Sequence, residues 1–235
     1  MKVLCVILAV AAFARATDIH LQKVVGGISG EANTTRYWDC CKPSCSWAEN
    51  VNAQSPVASC AVDGVTVLDP SSGSGCAEDG SGISYVCTNQ QPWAVNDTVA
   101  FGFAAASFSG GADNSQCCVC LQLSFLNVLP NKKLIVQVTN TGGDLESNHF
   151  DIQLPGGGVG YFTHGCVSQW NCPANGWGAQ YGGITSESEC NELPEVLQPG
   201  CHFRFNWFEN ADNPKVTFEQ VVCPSELTSI TGCVV

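Results

Sequence analysis

The chain of 235 residues carries 21 acidic and 9 basic side chains, which gives a formal net charge of −12 at neutral pH. A nucleic-acid-binding protein needs a basic face to meet the phosphates, so this charge speaks against a nucleic-acid partner. The length fits one large domain or two small ones. Helix-forming residues are sparse and glycine is frequent, which favours strands joined by irregular loops.

The first 16 residues have the pattern of a secretory signal peptide. Lys2 precedes an apolar run too short to span a bilayer, and Ala14-Arg15-Ala16 resembles a cleavage site. A membrane anchor is the alternative, but no later stretch is long and apolar enough to span a membrane. We predict a secreted, extracellular protein with a signal peptide over 1–16, a short N-terminal extension over 17–33 and one domain over 34–235.

Cysteine is the most informative residue type. Of the 16 cysteines, Cys5 would leave with the signal peptide, and the remaining odd number predicts a disulfide framework with one unpaired thiol. A zinc module is the alternative for "CCKPSC" and "CCVC", but histidine is nearly absent nearby, so we predict no metal and no cofactor. Asn33 and Asn96 begin N-glycosylation sequons.

Along the chain, strand-like patterns alternate with glycine-rich loops. A helix is plausible at 186–197, where Ser186 or Ser188 could cap it. Period-two or β-branched patterning predicts strands over 117–125, 133–141, 149–155, 201–208 and 215–223. The pattern favours an all-β barrel with long loops, and periodicity alone does not fix its topology.

Carboxylates are the candidate catalytic groups. Asp39 lies in "RYWDCC", where two cysteines would fix the backbone, and Asp151 lies on a strand-like segment that ends in a glycine turn. Acid–base catalysis needs such rigid placement. Asp144 and Glu146 lie in a loop that could move over a substrate. Spacing alone is a weak argument, because most carboxylate pairs in a chain with 21 acidic residues are solvated surface charges.

The stretch "TTRYWDCCKPSCSW", residues 34–47, resembles the signature of glycoside hydrolase family 45, the small secreted endo-β-1,4-glucanases. The resemblance continues, in the family's order, through "QPWAVNDTVAFGFAA", "CCVCLQLSF", "TNTGGDLESNHFDIQLPGGGVG", "QYGGI" and "FNWFENADNP". It implies a six-stranded double-psi β-barrel with long disulfide-linked loops, few short helices and an open groove across its face.

The resemblance also implies roles for the carboxylates. Asp39 would be the general base and Asp151 the general acid of a single displacement that inverts the anomeric carbon, with Asp144 assisting. Inversion needs room for a water, so the two carboxyl groups should stand ~6.5–9.5 Å apart. Asp151 must keep its proton near the working pH, which requires partial burial or a nearby negative charge.

The candidates for substrate binding are Tyr37, Trp38, Thr35 and His149. Tyr37 would line the cleavage point by resemblance, and His149 would either hydrogen-bond near the acid or pack beneath the groove. The flat face of a tryptophan side chain can stack on a glucose ring. We expect most of the tryptophans to lie in the core and Trp38 to lie near the groove. The tryptophans are Trp38, Trp47, Trp93, Trp170, Trp177 and Trp207.

The disulfide pairing implied by the resemblance leaves Cys172 unpaired, in a loop that is longer than the family's usual one. The implied pairs are Cys40–Cys166, Cys41–Cys76, Cys45–Cys117, Cys60–Cys87, Cys118–Cys233, Cys120–Cys223 and Cys190–Cys201. The sequence shows neither a carbohydrate-binding module nor the linker that often carries one, so soluble or amorphous glucan is the expected substrate.

Three functions remain open at this point. The first is an endoglucanase that cuts β-1,4-glucosidic bonds, and the second is a hydrolase of the same fold specific for xyloglucan. The third is a non-hydrolytic protein that resembles expansins, which lack the counterpart of Asp39. A cysteine-rich inhibitor or structural protein would not need all three carboxylates. We expect a monomer whose partner is a β-1,4-glucan.

Overall fold

The structure is a computed structural model that describes residue 19 and residues 21–235, so the predicted signal peptide lies outside the described residues. Six strands close a barrel in the order β5-β7-β6-β9-β1-β8, and β8 pairs back onto β5. The barrel strands are β1 Ser29–Tyr37, β5 Val99–Ser107, β6 Cys120–Phe125, β7 Lys133–Asn140, β8 His149–Gln153 and β9 Val216–Val221. The prediction of an all-β, six-stranded barrel is confirmed.

Shorter elements surround the barrel. A small strand, β4 (Trp93–Ala94), extends the sheet at β5, while β2 (Ser59–Cys60) and β3 (Tyr85–Val86) form a separate two-stranded antiparallel sheet. The helices are α1 His164–Trp170, α2 Gln198–Phe205 and α3 Ser225–Thr231, and single 3-10 turns lie at Ser44–Ser46, Ala48–Asn50, Asn114–Gln116, Glu187–Glu192 and Glu195–Leu197. No helix among the described residues has the length and apolar character that a membrane span requires.

The barrel interior is filled by the inward side chains of its strands. Leu121, Leu123, Phe150 and Ile152 are at most 1% exposed and belong to one apolar cluster with residues of β5, β7 and β9. Successive residues on a strand point to opposite faces, so each strand that buries one face offers the other to loops or to solvent. This alternation decides which side chains of β1 and β8 reach the groove.

The strand predicted over 201–208 is wrong, because helix α2 ends at Phe205 in that segment. Pro199 suits the first turn of a helix, where its missing N–H has no partner to lose. Phe203 and Trp207, four residues apart, stack at a ring distance of 5.2 Å. The period-two pattern of aromatic residues therefore came from a helical segment and the turn that follows it.

The helix predicted at 186–197 is two 3-10 segments, Glu187–Glu192 and Glu195–Leu197, and the Ser186 side chain caps the first.

Seven disulfides are present among the described residues. Their cysteine pairs are the seven pairs that the resemblance implies. Cys172 is free and buried. Burial raises the pKa of its thiol, which keeps it in the unreactive protonated form.

Candidate active site

Asp151 is presented by β8, next to the parallel strand β1. Thr35 of β1 is its partner in the strand register, and the Thr35 hydroxyl donates a hydrogen bond of 2.7 Å to Oδ1 of Asp151. The same hydroxyl lies 3.0 Å from Nε2 of His149. Because Thr35 has a single proton and gives it to Asp151, His149 must donate through Nε2, and its Nδ1 accepts from the Glu146 N–H at 3.4 Å.

The surroundings of Asp151 favour its protonated form. The pKa of this carboxyl is raised from 3.8 to about 7, first by burial and then by the negative charges of Asp39 and Asp144, against the opposing hydrogen bond from Thr35. Burial also lowers the pKa of His149, which keeps the imidazole neutral. Asp151 therefore has the properties of a general acid near neutral pH.

Asp39 lies just beyond the end of β1, in a segment held by two disulfides. Cys40 has a left-handed backbone with φ 63°, and its bridge to Cys166 joins this turn to α1. Cys41 is bridged to Cys76, and its N–H donates 2.9 Å to Oδ1 of Asp39. A side chain on Gly165 of α1 would lie 2.4 Å from the Asp39 carbonyl oxygen, so α1 can pack here because that residue is glycine.

Asp39 is 8% exposed, and burial raises the pKa of its carboxyl from 3.8 to about 6 against the hydrogen bond from Cys41. This pKa is lower than the pKa of Asp151, which is about 7. Asp39 is the first of the two carboxyls to lose its proton as the pH rises. That order suits a base at Asp39 and an acid at Asp151.

Tyr37 lies near both carboxylates. Burial raises its pKa well above the usual 10, and the charges of Asp39 and Asp151 both add to this shift. The Tyr37 hydroxyl accepts from Asn140 Nδ2 at 3.1 Å and donates to Gln153 Oε1 at 3.4 Å. A neutral phenol, fixed by two hydrogen bonds, thus lies close enough to both candidate catalytic groups to feel their charges.

Two cavities meet at the loop of residues 141–145. One, of about 460 Å³, is lined by Asp151, Asp144 and Tyr37, and the other, of about 390 Å³, is lined by Asp39 and by Thr141 to Gly143. Asp144 is exposed at the tip of this loop, whereas Leu145 is buried beside Tyr37 and anchors it. Each cavity has one candidate carboxylate in its lining, and we call the two cavities together the groove.

The aromatic residues of the groove differ from the expected one. Trp38 is only 2% exposed and packs in the core, because it points to the opposite side of the chain from Tyr37. It offers no face to a sugar ring. Tyr181, which is 68% exposed, lines the cavity with Asp151, and Phe162 and Trp47 line the cavity with Asp39. Glycines beside Tyr181 were the sequence signal for it, since they predict a tight exposed turn.

The tryptophans other than Trp38 pack against groups of the protein or are buried. Trp47 carries the Lys42 ammonium 3.2 Å from its ring centroid, and Trp93 packs edge-on against Phe101. Trp177 and Trp207 are buried. Within the described part of the chain, no group of three His, Cys, Asp or Glu side chains is arranged to hold a metal ion.

The two sequons lie in different surroundings. Asn33 is exposed on β1, and the hydroxyl of its sequon residue Thr35 is the one that binds Asp151. Asn96 lies in the turn before β5, where its Oδ1 accepts from the N–H groups of Thr98 and Val99. Their glycosylation stays a prediction.

Comparisons with known proteins identify the family. The sequence model of glycosyl hydrolase family 45 matches residues 29–234. The chain belongs to this family. It is 55% identical over 212 residues to an endoglucanase from Phaedon cochleariae, which covers 89% of this chain and 86% of that protein. An endoglucanase from Cryptopygus antarcticus is 51% identical over 235 residues, with 100% of this chain and 98% of that protein covered.

A solved structure with a similar sequence has the same fold. The crystal structure of a cellulase from the Antarctic springtail Cryptopygus antarcticus matches with a TM-score of 0.83 and 53% identity, covering 88% of this chain and 98% of the other. As a family 45 member, the chain is a glycoside hydrolase, and the resemblance seen in its motifs is confirmed. Its groove is the candidate site for that reaction.

Proposed function

We propose that this protein is a secreted, monomeric endoglucanase that hydrolyses internal β-1,4-glucosidic bonds of a neutral glucan with inversion at the anomeric carbon. The observation that carries the proposal is the pair of carboxyls that line the groove, with pKa values of about 6 at Asp39 and about 7 at Asp151. Between these values the pair is populated as one base and one acid.

The reaction follows from those protonation states. Ionised Asp39 takes a proton from a water molecule as the water oxygen bonds to the anomeric carbon. In the same step the glycosidic C–O bond breaks, and Asp151 gives its proton to the departing oxygen. Solvent then removes the proton from Asp39 and returns one to Asp151. No covalent sugar–enzyme bond forms, which is why the product has the opposite anomeric configuration.

The hydrogen bonds around Asp151 determine which of its oxygens delivers the proton. Oδ1 accepts from Thr35, so Oδ2 is left to carry the acidic proton toward the groove. His149 holds the Thr35 oxygen through Nε2 and does not itself need to touch the sugar. We assign Thr35 and His149 to the support of the acid rather than to direct substrate contact.

Asp144 acts on the acid through its charge. It is one of the two carboxylates whose charge raises the pKa of Asp151. Gly142 and Gly143 precede it, and a side chain on Gly143 would meet no atom within 4 Å. A loop with this freedom can bring Asp144 closer to a bound glucan, which would further favour the protonated acid.

The shape of the groove supports cleavage within a chain. Both cavities are open, and each offers an exposed aromatic side chain, Tyr181 in one and Phe162 in the other. Such side chains bind the apolar sides of glucose rings. An unbranched β-1,4-glucan that passes through both cavities would have sugars on either side of the glycosidic bond to be cut. That bond would lie between the side chains of Asp39 and Asp151.

The experiment compares carboxymethyl cellulose and xyloglucan as substrates by release of reducing ends. We expect wild type to cut a β-1,4-glucan, and Asp39→Asn and Asp151→Asn to lose ~10²–10⁴-fold in kcat. Asn keeps the acceptor oxygens that Cys41 N–H and Thr35 use. Asp63→Asn, in an exposed turn outside either cavity, is the matched control and should stay active.

Four results would overturn parts of the proposal. Equal activity of wild type and both groove variants would remove the catalytic assignment. NMR of the first product showing the starting anomer would exclude inversion. Activity on xyloglucan alone would select the xyloglucan-specific function, and wall loosening without any new reducing ends would select the expansin-like one.

A further inference from the structure

Asn140, the last residue of β7, joins the two halves of the groove. Its side chain lines the cavity that contains Asp39. Oδ1 of Asn140 accepts from the Ser44 N–H at 2.8 Å, in the segment that follows Asp39. Nδ2 of Asn140 donates to the Tyr37 hydroxyl at 3.1 Å, in the strand that pairs with the Asp151 strand. One side chain thus contacts both segments that carry the candidate base and acid.

The hydrogen bonds at the Tyr37 hydroxyl have a fixed direction. Asn140 donates into the phenol oxygen, so the phenol proton is free to go to Gln153 Oε1 at 3.4 Å. Gln153 cannot turn its amide round without loss, because its Nε2 donates to the Gln90 carbonyl at 2.8 Å. Its Oε1 also accepts from Thr139 at 3.3 Å. The network therefore points the Tyr37 proton toward Gln153.

The direction of that proton matters for two nearby carboxylates. A phenol that donates to an ionised carboxylate forms a charge-assisted hydrogen bond, which is about twice as strong as a neutral one. Such a bond to Asp39 would weaken it as a base, and one to Asp151 would favour its ionised form. The hydrogen-bond partners of Tyr37 direct its proton to Gln153 instead.

We propose that Asn140 is a positioning residue of the hydrolytic reaction: it keeps the Tyr37 hydroxyl directed at Gln153 and fixes the Asp39 segment relative to the Asp151 strand. The inference rests on the proposed function, since it needs the two carboxylates to be the acid and the base. Asn140 does not touch the reacting atoms in this role and acts through Tyr37.

A double-mutant cycle tests the coupling. The variants are Asn140→Ala, Tyr37→Phe and both together, assayed for kcat and KM on a soluble β-1,4-glucan oligosaccharide. We expect Asn140→Ala to lower kcat roughly tenfold with KM unchanged, because a misdirected group near the reaction slows chemistry more than binding. In the Tyr37→Phe background the same change should lower kcat less than about twofold, since no hydroxyl remains to misdirect.

Two further variants separate positioning from a general effect on folding. Asn140→Asp keeps the acceptor for Ser44 N–H but loses the donor to Tyr37, so the Asp39 segment stays anchored and kcat should still fall. Asn191→Ala removes an asparagine that donates to the Ser188 carbonyl outside either cavity, and it should leave kcat at the wild-type value. Thermal unfolding is followed for every variant.

The outcomes distinguish this inference from the proposed function. If wild type releases no reducing ends from any β-1,4-glucan, the proposed function fails and this inference with it. If wild type is active, two results overturn the inference alone: an unchanged kcat for Asn140→Ala or Asn140→Asp, or an equal fall in kcat with and without the Tyr37 hydroxyl. A rise in KM that follows a lower unfolding temperature would assign Asn140 a structural role instead.

Discussion

Neutralising Asp151 should make the protein inactive and more stable at the same time. Asp151→Asn removes the ionisable group but keeps an oxygen that can accept the Thr35 hydrogen bond. In the folded wild type the pKa of this carboxyl is about 7, against 3.8 for the unperturbed group. Folding therefore works against the ionised form, and the variant is relieved of that cost.

The size of the gain follows from the two pKa values. A raised folded-state pKa gives a stability contribution that is complete below pH 4 and is lost as the pH rises through about 7. The two pKa values differ by about 3, and a pKa difference of 1 corresponds to about 1.4 kcal/mol. Above pH 8 the free energy of unfolding of the variant should therefore exceed that of wild type by about 4 kcal/mol. For a chain of this length, that is on the order of 10 °C in unfolding temperature.

The assay is unfolding of wild type and Asp151→Asn at pH 4 and pH 8, with the disulfides intact. We expect nearly equal stability at pH 4 and a large advantage of the variant at pH 8. Asp63→Asn is the control, because hydrogen bonds in an exposed turn lower the pKa of Asp63 and its loss should bring no gain. A gain of the same size at both pH values, or a less stable variant at pH 8, would refute the assignment of a buried, protonated acid.

Three other predictions concern the groove. The pH profile of kcat/KM should be bell-shaped with its maximum between about 6 and about 7, because Asp39 must be ionised and Asp151 protonated. Thr35→Val removes the hydrogen bond that lowers the pKa of Asp151, so the alkaline limb should move to higher pH, and Thr35→Ser should restore it. Tyr181→Ala should raise KM for a glucan polymer roughly tenfold while kcat changes little, and an unchanged KM would exclude Tyr181 as a sugar platform.

The sequence predicts the barrel better than it predicts its individual strands. The strands β6 to β9 have the β-branched or alternating pattern that a half-buried strand requires. Strand β5 shows no such pattern, because it lies among three partner strands, and its buried positions include Ala100, Ala104 and Ala105. Small side chains suit that crowded place, yet alanine is no signal for a strand.

The site divides in the same way. The resemblance to the family motifs predicts that Asp39, Asp151 and Asp144 belong to one site, because the family assigns the matching residues to the same reaction. The expectation that Trp38 lies in the groove is wrong, although its neighbours Tyr37 and Asp39 line the groove. The sequence does not show to which side of an extended chain a given side chain points. Asn140 lies in the motif "TNTGGDLESNHFDIQLPGGGVG", but nothing in the sequence gives it a role. Its importance comes from contacts with Ser44 and Tyr37, which lie about a hundred residues earlier in the chain.

The disulfides and the raised pKa values belong to one physical arrangement. Holding Asp39 at a pKa of about 6 costs about 3 kcal/mol at high pH, and holding Asp151 at about 7 costs about 4 kcal/mol. Ordinary domains have a total stability of only ~5–15 kcal/mol, so a fold with two such carboxyls needs additional stabilisation. Each disulfide contributes ~2–4 kcal/mol, and two of the seven flank Asp39 directly. The bridges therefore offset the cost of burial at the place where burial tunes the base.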